Sequence, residues 1–66
     1  MQAWNLVKVK NVESLHDGRA GTVVRVESKG DLRFVQVRLD EQGTPGELNY
    51  KPAETEPFAE TELVML

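Results

Sequence analysis

A chain of 66 residues with a formal net charge of −3 has room for one domain, so residues 1–66 are expected to fold as a single unit. A chain this short buries only about 60% of its unfolded surface, and with no cysteine neither a disulfide nor a thiolate zinc site reinforces its core. No apolar run approaches the roughly 20 residues needed to cross a bilayer, and residues 1–8 lack the pattern of a secretory leader, so a soluble, cytoplasmic protein without membrane contact is expected.

Residues 6–10 alternate from Val7 onward, with Val7 and Val9 on one side and Lys8 and Lys10 on the other, the period of a half-buried strand. Trp4, just before it, is expected to lie as a lid over one end of a small core. Residues 11–18 are polar apart from Val12 and Leu15, and read as a long loop whose two apolar side chains tuck under the core. Gly18 and Gly21 suit a tight turn where positive φ is required. The β-branched run that follows predicts a second strand over residues 22–27. Val24 and Val26 share a face there and Val23 takes the other, so either both faces are covered or a bulge re-aims the strand.

Residues 28–31 form a turn around Gly30, and residues 32–39 form the longest strand. Val35, Val37 and Leu39 face the core in that strand, while Gln36, Arg38 and Phe34 point outward. Residues 41–46 are a turn cluster and 47–50 a short return strand. Two prolines and two glutamates predict an irregular loop over 51–57, one helical turn over 58–61 and a last strand over 63–66. These elements predict an all-β fold, an SH3-like five-stranded small barrel with one short helical turn before the last strand.

Val9 with Gly18-Arg19-Ala20-Gly21-Thr22-Val23, and the closing Phe58-Ala59-Glu60-Thr61-Glu62-Leu63, resemble the small SH3-like barrels that carry a V-x-V…G-x-x-G-x-V element. KOW motifs of ribosomal and transcription proteins share it, as do the photosystem I peripheral subunit that docks ferredoxin and the ferredoxin–thioredoxin reductase variable chain. The resemblance implies a fold and leaves the function open between protein docking and nucleic-acid contact.

His16 is the only histidine, and beside Asp17 it reads as a loop residue without a nucleophile and an orienting partner. No catalytic set, metal site or cofactor site is expected: Asp40 with Glu41 lacks the spaced loop of a calcium site, and two glycines fall short of a dinucleotide fingerprint. The chain is therefore expected to be a non-enzymatic interaction module or accessory subunit. It would dock on a protein partner, with the turn over 43–50 and the adjoining acidic loop as one contact and Tyr50 as its aromatic. The alternative is a KOW-like nucleic-acid module using Lys8, Lys10, Arg25 and Arg38 across neighbouring strands and Arg19 in the loop, with Trp4, Phe34 and Tyr50 interleaved as stacking platforms. Edge strands also allow a homodimer.

Overall fold

A computed structural model describes residues 2–66. Five antiparallel strands form one sheet: β1 (Leu6–Val9), β2 (Ala20–Lys29), β3 (Leu32–Leu39), β4 (Glu54–Ala59) and β5 (Leu63–Met65), with a 3₁₀ turn (Glu60–Glu62) before the last. Their order is β4-β3-β2-β1-β5. The fold is thus all-β, as the alternating patterns predict. The sheet is open, because β4 and β5 form its edges and no ladder joins them among the described residues.

It is nevertheless curled. A flat five-stranded sheet would hold its outer strands about 19 Å apart. Only the three residues of the 3₁₀ turn separate β4 from β5, and they rise roughly 6 Å. The inner face must therefore wrap around its side chains. Val7, Val9, Val23, Val35, Val37, Leu39, Phe58 and Leu63 are buried there as one cluster, with Val26 packed against it. Val35, Val37 and Leu39 are core residues, as alternation along β3 requires.

The pairing of β2 with β3 runs from Gly21↔Leu39 to Lys29↔Leu32 and shifts register between Val23 and Arg25. That bulge resolves the two readings of β2: Val23 is buried, Val24 is exposed, and Val26 returns to the inner face opposite Val35. A two-residue turn closes the hairpin, with Gly30 at φ 63° as its first central residue. Gly21 serves a different purpose from Gly18. Gly18 has φ 85°, whereas Gly21 lies within β2, where an added Cβ would stand 2.5 Å from the Arg38 carbonyl oxygen. Close approach, not turn geometry, requires glycine at that position.

Four expectations are corrected. Residues 47–50 are not a strand: they belong to a loop closed by reciprocal backbone bonds between Gln42 and Lys51, both 2.9 Å, and Leu48 is fully exposed. The fourth strand instead lies over Glu54–Ala59, inside the stretch expected to be irregular. Its Pro57 is tolerated because β4 is an edge strand, where half of the N–H groups have no ladder partner.

Val12 and Leu15 do not tuck inward but are 90% and 89% exposed. Polar groups organise their loop instead: the Asn11 and Glu13 amides donate to the side chains of Asp17 and Asn11, and the His16 amide donates to Ser14 Oγ. Trp4 is not a lid. It is 76% exposed, at φ 70°, with its amide donating to the Val23 carbonyl at 2.6 Å. Left-handed backbone is rare for a bulky residue, and here it turns the indole away from the core.

Candidate functional site

Cross-strand partners share a face, so the register assigns the outer surface residue by residue. Lys8 stands opposite Ala20 on one side and Val64 on the other, Arg38 opposite Thr22 and Thr55, and Arg25 opposite Gln36. Lys8 and Arg38 are exposed on this face, as alternation predicts; Arg25 is exposed there too, beside the bulge that breaks the alternation of β2, and Lys10 is exposed just beyond the end of β1. Phe34 is on the same face but half-buried between Glu27 and Ala59, towards the hairpin turn. Arg25 pairs with Glu27 at 2.6 Å, an exposed contact of little energetic weight. Lys8, Lys10 and Arg38 have no ion pair among the described residues.

Tyr50 lies apart from that face. It sits at the foot of the 42–51 loop, where its hydroxyl donates to Glu41 Oε2 at 2.8 Å. This hydrogen bond, assisted by the carboxylate charge, raises the phenol's pKa above its ordinary value.

Arg19 is not available at the surface. It is 2% exposed, and its Nη2 donates to the carbonyls of Asp40 (2.8 Å) and Pro52 (3.0 Å). Its Nη1 lies 3.4 Å from Glu54 Oε1. The guanidinium thus ties the chain before β2 to the 40–53 loop and to β4. A planar fork with several fixed donors is suited to this, because two carbonyls and a carboxylate can be met at once. The residue between Gly18 and Gly21 is an internal clasp.

Around that clasp the fold gathers groups that are distant in sequence. Glu54, Glu56 and Phe58 alternate along β4 opposite Leu39, Val37 and Val35, so all three face inward. His16 comes over them from the loop. Its Nδ1 is 3.4 Å from Glu54 Oε1, and its ring meets Phe58 edge-on at 5.8 Å between centroids. One donor atom each from His16, Glu54 and Glu56 fall within 4.8 Å of one another, and all three residues are half-buried. Sequence reading missed this cluster because the prolines hid β4. Glu54-x-Glu56-x-Phe58, read as a strand, already places both carboxylates on one face.

A second feature missed from sequence is apolar. Leu6 on β1 and Val64 on β5 share the outer face, and Leu66 joins them, its amide donating to the Leu6 carbonyl at 3.0 Å. All three are exposed, as is Trp4, two residues before Leu6. β5 presents an unpaired backbone edge beside them. Compared with known families, curated proteins and solved structures, the chain matches none.

Proposed function

We propose that the chain is a non-enzymatic interaction module that docks on a protein partner through the outer face of β1 and β5. The observation that carries this reading is the exposed apolar group Leu6, Val64 and Leu66, with the exposed Trp4 two residues before Leu6 in the chain. Tryptophan is the side chain most enriched among residues that dominate binding energy, and apolar neighbours around it exclude water once a partner is seated. The open edge of β5 adds main-chain donors and acceptors for an extended segment. Strand number, strand order and the turn before β5 support reading the curled sheet as an SH3-like barrel, in keeping with the resemblance in its loop-to-strand junction.

Affinity capture from native lysate tests the proposal, using the wild-type chain beside a Trp4→Ala/Leu6→Ser double variant. Both positions are exposed, so the variant should fold, which its thermal melt checks. A protein retained by the wild type and lost by the variant is expected, with a blue shift of the single tryptophan's emission on rebinding. Retention of the same proteins by both, or recovery of nucleic acid alone, overturns it.

The nucleic-acid reading is favoured by one observation: Lys8, Lys10 and Arg38 are exposed and lack ion pairs among the described residues. Titration with oligonucleotides at low salt decides it, since phosphate neutralisation is strongest there. No binding under that condition removes it.

A further inference from the structure

We infer that His16, Glu54 and Glu56 form a binding site for a borderline divalent transition-metal cation, with zinc as the best fit, which staples the 11–18 loop to β4. The inference is independent of the docking face, which lies on the other side of the sheet.

Three observations carry it. The donor set mixes one imidazole nitrogen with two carboxylates, the combination that suits zinc and its neighbours better than calcium or magnesium, which prefer oxygen alone. The spacing fits as well. Ligands about 2.0–2.1 Å from a tetrahedral ion stand roughly 3.3–3.4 Å from each other, and His16 Nδ1 stands 3.4 Å from Glu54 Oε1. All donor atoms already lie within 4.8 Å.

The third observation is charge. Arg19 neutralises Glu54, but Glu56 has no cationic partner among the described residues. The cluster therefore retains one uncompensated, half-buried negative charge when His16 is neutral, and a cation satisfies it. Arg19 fits the site as an outer support, because a ligating carboxylate is commonly held in place by a further hydrogen bond. Phe58 does the same for the imidazole by fixing the plane of the ring.

Thermal unfolding and two-dimensional NMR of the untagged chain, titrated with zinc chloride, test the site, with magnesium chloride as the comparison. Zinc is expected to bind one to one and to raise the melting temperature by about 5 °C at a large excess over its dissociation constant. His16 ring resonances and amides of residues 11–18 and 54–58 should shift together. Glu56→Gln should weaken zinc at least about tenfold while melting no lower than the wild type without metal, because that carboxylate makes no other contact among the described residues and its unpaired charge is removed. His16→Gln provides a second variant with the same expected loss. Absence of saturable zinc binding overturns the inference, as does undiminished binding by both variants or equal affinity for magnesium.

Discussion

At one end of the sheet, β2 and β3 meet in a two-residue turn, and residues 28–33 are exposed strand and turn with no buried side chain among them. At the other end, the 10–19 and 40–53 segments are long and irregular, yet they converge on Arg19, one of the most deeply buried side chains in the molecule. The hairpin end is held mainly by contacts between residues close in sequence, through Gly30 and ladder bonds, with only an exposed Arg33–Glu60 ion pair at 3.6 Å reaching further along the chain. The loop end is held by a guanidinium that reaches residues far along the chain, at Asp40, Pro52 and Glu54. Regular secondary structure can be secured locally, whereas long loops need a side chain with several donors to satisfy their carbonyls.

Arg19→Ala is the most direct way to break this contrast. It removes the fully buried guanidinium, takes the donor from the partly buried contacts to the Asp40 and Pro52 carbonyls and leaves Glu54 without its cation, so a loss of about 3–5 kcal/mol is expected in urea unfolding. A change below about 1 kcal/mol would mean that the loop end is held by something else.

Gly21→Ala probes the place where the loop end enters the sheet. The added Cβ meets the Arg38 carbonyl, backbone that cannot give way cheaply. A destabilisation of about 2–3 kcal/mol is expected, measured by the shift in melting temperature. Gly30→Ala tests the hairpin end, where the added Cβ meets nothing within 4 Å and only the positive φ is penalised. A loss of about 1–2 kcal/mol should follow, with amide exchange in residues 26–35 quickened and that of the loops unchanged.

The smallest effect belongs to Tyr50 and Glu41. Phenolate absorbance should titrate at higher pH in the wild type than in Glu41→Gln, because the carboxylate favours the protonated phenol. The folded-state pKa is raised, so this contribution to stability is complete below the ordinary phenol value of about 10 and is lost as pH rises through the folded value. Identical titration curves would show that the hydroxyl contact is not maintained in solution.

The same contrast explains what was legible beforehand. β1 and β3 announce themselves because period-two alternation is imposed by a one-sided core. The bulge in β2 was visible as a broken alternation, though only pairing decides which residue is displaced. β4 is obscured because Pro52 and Pro57 suggest a loop; Pro52 does lie in one, whereas Pro57 is tolerated within β4 because the strand is at an edge, a property of the whole sheet. Apolar type alone points Val12 and Leu15 inward, whereas the side-chain bonds of Asn11, Ser14 and Asp17 shape their loop and both residues are exposed. Arg19 could be singled out by its place between glycines. Its burial depends on carbonyls supplied by segments that no local pattern connects to it.

The pairing of β1 with β5 also determines how the molecule responds to force. The strands are antiparallel, and Leu66 bonds to Leu6, so the chain enters and leaves the sheet side by side. Tension applied through the two ends pulls β5 away from β1 across the ladder, so the bonds are loaded one after another. The molecule should open by unzipping at low force from this edge, shedding β5 while the β2–β3 hairpin remains paired.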